Sequence, residues 1–356
     1  MTTGRATASA QSFSLIPEVS LAELTADRQP NALRLTTICH EVGFFYLVDH
    51  GIEQEFFDRY FSLMASFFAL PEDVKATIDK RQSPHFRGWE RVGAELTNNR
   101  PDFREQLDVS TENPAYGPDV DPPYLRLDGP NQWLPDEILP GFHAIVSQFF
   151  ERLSDVANQL MSAMSLGLGL GVNHLQDLFG ERPLSFAKLI SYPPTPYGQA
   201  GVNAHHDAGF LTLLVQHGVG GLQAQNPQGE WIDVTPRSGA LVVNLGEMLQ
   251  AITGNYFVAT SHRVIARDAR LSSAYFHGPD LRTCLDPLPL DPSFAAAVAA
   301  SPRHASAGFM SKRNELLEGA AVTASTSAPV YGQQLWNYYL RSYPDNVRAH
   351  YPDLAG

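Results

Sequence analysis

The stretch from residue 184 to residue 279 constrains the fold most, because its hydrophobic pattern alternates with period two. Seven short runs carry the alternation: residues 187–192, 209–216, 222–225, 231–234, 240–244, 258–264 and 272–277. Turn residues such as Asn226-Pro227-Gln228-Gly229 separate them. Strands this short and this regularly spaced predict an antiparallel sandwich or barrel. Upstream the period lengthens. Leu35, Ile38, Cys39 and Val42 fall at helical spacing, and residues 44–48 form an aromatic, β-branched run suited to a buried strand. A helix carrying Phe57, Tyr60, Phe61, Met64 and Phe68 follows, then one begun by Pro71-Glu72-Asp73. Phe142, Ile145, Val146, Phe149, Leu153, Val156, Leu160 and Met164 give the longest helical stripe.

The expected organisation is a flexible start (1–12), a helical and mixed region (13–130) and a long bracing helix with its connection (131–183). A β-rich core (184–295) and an Ala/Ser-rich segment with a closing helix (296–356) complete it. Residues 14–17 read as a short edge strand, 81–136 as loop and short strand, and 296–328 as weak helix or mobile loop. The fold class is mainly β with helical cover (α+β): a jelly-roll core braced on one side.

Composition excludes several functions. With a net charge of −13 over 356 residues, the chain lacks the basic surface that phosphate contacts require, so no nucleic-acid partner is expected. Cys39 and Cys284, the two cysteines, are too few for a disulfide framework or a cysteine-ligated metal. No stretch reaches the roughly 18 apolar residues of a membrane span, and residues 1–11 lack the apolar core of a signal peptide. A cytoplasmic protein with no membrane attachment is the expectation, and no obligatory protein partner is readable.

The chemistry concentrates in Asn203-Ala204-His205-His206-Asp207-Ala208-Gly209. In a strand, positions i and i+2 face the same way about 6.6 Å apart, so His205 and Asp207 can aim an imidazole and a carboxylate at one ion. His206 then points to the other face and packs there. His262, on another predicted strand, supplies a third ligand. Two histidines and one carboxylate leave coordination positions open, the arrangement of non-haem Fe(II) oxygenases. A His-x-Asp triplet alone arises too easily by chance to carry this; Arg270-Leu271-Ser272 strengthens it. Arg270 and Ser272 share a strand face and offer a guanidinium fork and a hydroxyl to one carboxylate. A dicarboxylate cosubstrate would supply that anion.

At these residues the chain resembles the isopenicillin N synthase-like family of iron(II)/2-oxoglutarate-dependent dioxygenases. The resemblance runs from Ile16 to about Tyr343. It is carried by Gly43-Phe44-Phe45-Tyr46-Leu47-Val48-Asp49-His50-Gly51, Arg87-Gly88-Trp89, Ser191-Tyr192-Pro193-Pro194, Gly221-Leu222-Gln223 and Val242-Val243-Asn244-Leu245-Gly246. The His205-His206-Asp207, Ser261-His262-Arg263-Val264 and Arg270-Leu271-Ser272 segments complete it. It implies a double-stranded β-helix with Fe(II) on His205, Asp207 and His262. It also implies Arg270, Ser272 and Tyr192 around the distal carboxylate of 2-oxoglutarate, and O2 as oxidant. Many plant members have asparagine two residues before that tyrosine; here Ile190 stands there.

The implied reaction oxidises a small organic molecule and releases succinate and CO2. Hydroxylation is the default, with desaturation or cyclisation requiring only another substrate pose. Rival readings are an ethylene- and succinate-forming enzyme, a 2-oxoglutarate-independent oxidase of the isopenicillin N synthase type, and a binding protein without turnover. Arg87, Glu95 and Arg104 lie in the irregular segment that covers the pocket mouth in similar enzymes, and with Phe276 they are the candidate substrate contacts. His50 is read as ordering a turn, and His277 as a possible pocket neighbour of Phe276.

Overall fold

The structure, a computed structural model, describes residues 13–196, 199–305 and 329–352. The expected flexible start at 1–12, and 306–328 of the Ala/Ser-rich segment, lie outside the described residues.

The strands are β1 (Glu18–Ser20), β2 (Phe44–Val48), β3 (Gly88–Glu90), β4 (Leu96–Thr97), β5 (Arg100–Pro101), β6 (Glu105–Ser110) and β7 (Phe186–Tyr192). Then follow β8 (Val202–His205), β9 (Leu211–His217), β10 (Leu222–Gln225), β11 (Trp231–Asp233), β12 (Leu241–Leu245), β13 (His262–Val264) and β14 (Arg270–His277). Eight of them form a major sheet in the order β1-β2-β12-β9-β14-β7-β6-β3. A minor sheet, β11-β10-β13-β8, lies across it, and β4-β5 is a separate hairpin.

Alternation along each major-sheet strand assigns its side chains to two cores. On β2, Phe45 and Leu47 face the helices, whereas Phe44 and Tyr46 face the minor sheet. The same division separates Ala187 and Leu189 from Ile190 and Tyr192 on β7, and Val243 from Val242 on β12. Among the described residues the helical cover therefore packs on the face that carries Phe45, Leu47, Leu189 and Val243. It comprises Arg28–Glu41, Gln54–Phe68 and the 26-residue helix Phe142–Gly167, whose buried stripe is the one the sequence predicts. Tyr60 stacks on Phe149 at 4.2 Å. Gly167 lets that helix touch the first: a Cβ there would meet Thr36 Oγ1 at 1.9 Å.

Several local expectations shift. The edge strand is Glu18–Ser20, pairing parallel with β2, and not residues 14–17. Only His262–Val264 of the expected 258–264 strand enters a ladder. The irregular segment contains β6, six residues in the interior of the major sheet between β3 and β7. Its Glu105 and Asp108 hide the alternation, because both are held by ion pairs with lysines. Residues 296–305 lie partly in the helices Pro292–Ala299 and Pro302–Ala305. The expected closing helix is Tyr331–Ser342, and a shorter helix, Pro344–His350, follows it.

His277 belongs to the helical core and not to the cleft. It is 3% exposed, stacks on Phe179 at 4.2 Å, and its Nε2 has no partner among the described residues. Burial pushes its imidazole from 6.5 down to about 3. Between those values the unfolded chain holds a proton that the folded chain refuses, so stability is full above about 6.5 and falls as pH drops below it. The expected slope is about 1.4 kcal/mol per pH unit. Denaturant titrations of metal-free wild type and His277→Leu across that window should diverge by this slope; parallel curves would refute the assignment.

Candidate metal centre and substrate cleft

β13 and β8 run antiparallel with His262 directly opposite His205, which sets their rings 4.3 Å apart. Asp207 does not share their ladder. β8 ends at His205, and Asp207 sits in the following turn, its carbonyl accepting from Glu247 N at 2.8 Å. That turn is held by a close backbone approach, because a Cβ on Gly246 would lie 2.1 Å from Gly209 O. The convergence that the strand pleat predicts is thus achieved by a turn docked on a helix start.

Asp207 Oδ1 lies 3.4 Å from His205 Nε2 and 3.5 Å from His262 Nε2, and the three donor atoms fall within 4.8 Å of one another. Nitrogen and oxygen ligands lie about 2.1 Å from an ion they share, so donors 3.4 and 3.5 Å apart could hold one ion between them. Each imidazole is oriented from behind. His205 Nδ1 pairs with Asn203 O at 2.8 Å and His262 Nδ1 with Thr260 O at 3.1 Å. A carbonyl accepts only, so both Nδ1 atoms carry the proton and both Nε2 lone pairs face inward. Asp207 Oδ2 accepts from Asn244 Nδ2 at 2.7 Å and from the Thr212 hydroxyl, leaving Oδ1 to the centre.

The charges agree. Burial opposes ionisation of Asp207, yet the imidazoles of His262 and His205 and the Thr212 hydroxyl hold its carboxyl well below the usual range. Burial, with His205 beside it, pushes His262 down to about 4. Burial alone would lower His205 too, but the Asp207 hydrogen bond and charge raise it. A carboxylate flanked by two inward lone pairs fits a divalent ion.

Thr212 and Asn244 hold Asp207 from behind, and no local sequence pattern singles them out. Asn244→Ala is expected to weaken ferrous-iron binding by about 10–100-fold, the usual cost of losing an outer partner. Anaerobic calorimetry on the folded variant measures it, and an unchanged affinity would show that Asp207 needs no such support.

The triad lies in a cleft between the two sheets of about 480 Å³, part of it open to solvent. Arg270, Tyr192, Arg104 and Phe276 also line it. Arg270 is 3% exposed; it donates to Ser272 Oγ at 3.2 Å and Gln216 Oε1 at 3.1 Å, and its guanidinium lies 4.8 Å from the Tyr192 ring. Arg87 does not reach the cleft: its buried guanidinium donates to His85 O and to Leu127 O, the latter at 2.6 Å. Glu95 stands one contact behind the wall, bound to Arg104 at 2.6 Å. His206 is exposed near Glu247, at 3.9 Å, and is not packed in a core. His50 orders its turn, Nδ1 accepting from Ile52 N at 3.2 Å.

Comparison with known proteins follows the same geometry. Residues 181–279 match the 2OG-Fe(II) oxygenase superfamily, and residues 16–136 match the N-terminal region described as non-haem dioxygenase in morphine synthesis. A 2-oxoglutarate-dependent dioxygenase of Dothideomycetidae sp. (strain 11243) is 35% identical over 280 residues, covering 75% of each chain. The chain belongs to the 2OG-Fe(II) oxygenase superfamily. Another relative of this dioxygenase is a homoarginine-6-hydroxylase of Glycine max, 31% identical over 78% of this chain and 90% of that one. Among solved structures, full-length Neurospora crassa T7H in complex with alpha-KG superposes with a TM-score of 0.66 at 27% identity, covering 77% of this chain and 88% of that one. The dioxygenase is accordingly an oxidoreductase with a double-stranded β-helix core that uses Fe(II), 2-oxoglutarate and O2 on a small molecule. Among the described residues no helix is long and apolar enough to cross a membrane.

Proposed function

We propose that His205, Asp207 and His262 hold the ferrous ion, that Arg270, Ser272 and Tyr192 hold the distal carboxylate of 2-oxoglutarate, and that the enzyme hydroxylates a small organic molecule. The carrying observation is Asp207 Oδ1 facing both Nε2 atoms while every other polar atom of the triad is tied to the protein. When bound, iron and 2-oxoglutarate supply an O2-derived oxidant able to remove hydrogen from a C–H bond, with succinate and CO2 released.

The chain's own part is to bind, orient and keep dry. Arg270 presents a planar fork that a carboxylate fits in two hydrogen bonds, and its neutral neighbours leave the positive charge available. The apolar walls, among them Phe44, Leu214, Val264 and Phe276, keep water from the reacting carbon. Phe276 and Arg104 are the side chains that meet substrate, and desaturation or cyclisation differs from hydroxylation only in substrate pose. The two cysteines are unpaired thiols, which suits the reducing cytoplasm.

The test is anaerobic addition of Fe(II) and then 2-oxoglutarate. The expected result is a weak visible charge-transfer absorption, followed in air by slow succinate release without added substrate. Absence of the absorption in a folded, iron-loaded protein would remove the cosubstrate assignment.

A further inference from the structure

Two guanidinium groups line the cleft, and their surroundings differ in charge. β6, β7 and β14 pair with Glu105 opposite Ser191 and Arg270 opposite Tyr192. Arg104, one residue before β6, therefore falls in a row with Tyr192 and Arg270 across one end of the major sheet. Among the described residues both arginines keep a buried Nε with no partner. Among the described residues no carboxylate reaches Arg270 within ion-pair distance; its partners are the neutral Gln216, Ser272 and Tyr192. Arg104 is already neutralised, Nη2 lying 2.6 Å from Glu95 Oε2 and 3.1 Å from Asp102 Oδ2. Behind it Lys80 and Lys188 pair with Glu90, Glu95 and Asp108, so three cations meet four carboxylates.

Arg104 is also fixed relative to the metal ligands. Asp102 Oδ1 accepts from Asn203 N and Nδ2 at 3.3 and 3.2 Å, and Asn98 Nδ2 donates to Ala204 O at 2.7 Å. These bonds staple the β4-β5 hairpin to β8, the strand that ends in His205. From the far side Tyr338 donates to Glu95 at 2.8 Å.

A substrate carboxylate placed on Arg104 would meet Glu95 and Asp102 at close range in a site of low dielectric, whereas a neutral oxygen meets only the N–H. Building on the functional reading above, we propose that Arg104 determines specificity by donating to an amide, lactam or ketone oxygen, so that the substrate is a small neutral carbonyl compound and not an acid. The two guanidinium groups thereby divide the cleft: the uncompensated one takes the anionic cosubstrate, and the compensated one takes the neutral substrate.

The experiment uses the full chain loaded with diamagnetic zinc and 2-oxoglutarate. Saturation-transfer NMR compares matched probes: benzamide with benzoate, phenylacetamide with phenylacetate, and cyclohexanecarboxamide with cyclohexanecarboxylate. Amides are expected to bind in preference. Arg104→Gln should lose amide binding while calorimetry shows 2-oxoglutarate affinity retained. Because removing Arg104 takes a cation away from Glu95 and Asp102 and can unfold the site, Asp102→Asn is the second arm. Removing one negative charge should shift the acid-to-amide ratio toward acids by about tenfold or more. Preference for acids in wild type, binding of neither class, or an unchanged ratio in Asp102→Asn overturns the proposal. Failure of wild type to bind 2-oxoglutarate is a separate result that overturns the functional reading beneath it.

Discussion

Asp207→Ala should abolish ferrous-iron binding and, with it, succinate release. In the wild type this side chain supplies the only formal negative charge of the triad, and its Oδ1 stands 3.4 and 3.5 Å from the two imidazole nitrogens. Alanine leaves two neutral ligands for a divalent ion and strands the Asn244 and Thr212 donors that held Oδ2. The loss must exceed the roughly 10–100-fold that an outer partner costs, because here the ligand itself is gone. Anaerobic calorimetry with Fe(II) measures it, and circular dichroism shows that the variant is folded. Asp207→Glu separates charge from placement: the carboxylate survives, but one methylene moves it off the Oδ1 position, so weakened and not abolished binding is expected. Near-wild-type affinity in the alanine variant would mean that the iron sits elsewhere.

The triad was legible in the sequence for a reason only partly geometrical. His205 and His262 do face one another across two strands, as period-two alternation allows. Asp207 reaches them from a turn whose position depends on Gly246 passing close to Gly209 and on Glu247 N bonding Asp207 O. No local pattern encodes that long-range docking. β6 was illegible for the opposite reason. Period-two reading looks for apolar residues inside, and this strand buries Gln106 and Asp108 against Lys80, Lys188 and Glu90. Charge compensation between segments distant in sequence makes such a strand possible, and it cannot be seen one segment at a time. The same blindness hid the difference between Arg104 and Arg270, which depends on what stands behind each. Arg87, grouped with Arg104 by its segment, is a buried tie between His85 and Leu127.

Arg270→Met should cost 2-oxoglutarate binding far more than iron binding, and it should not destabilise the ligand-free protein. Truncating one partner of a buried, hydrogen-bonded charge pair costs roughly 2–5 kcal/mol, or about 30- to several thousand-fold in affinity. Iron affinity is untouched because no triad atom bonds the guanidinium among the hydrogen bonds of the described residues. The stability half of the prediction follows from charge. Without ligand the guanidinium is 3% exposed, burial pulls its pKa down, and its partners are a glutamine, a serine hydroxyl and the face of Tyr192. An unpaired buried cation opposes folding, and a methionine of similar length removes that penalty while filling the space. Ligand-free thermal stability should therefore hold or rise, while the stabilisation that saturating 2-oxoglutarate gives wild type should vanish. Arg270→Lys tests the fork against the charge: it keeps the cation but loses the planar pair of donors, so its affinity should fall between the other two. Equal loss of iron and 2-oxoglutarate in the methionine variant, or a large drop in ligand-free stability, would make Arg270 part of the scaffold. A gain in stability paired with a loss of ligand identifies a residue that the fold tolerates for the sake of an anion.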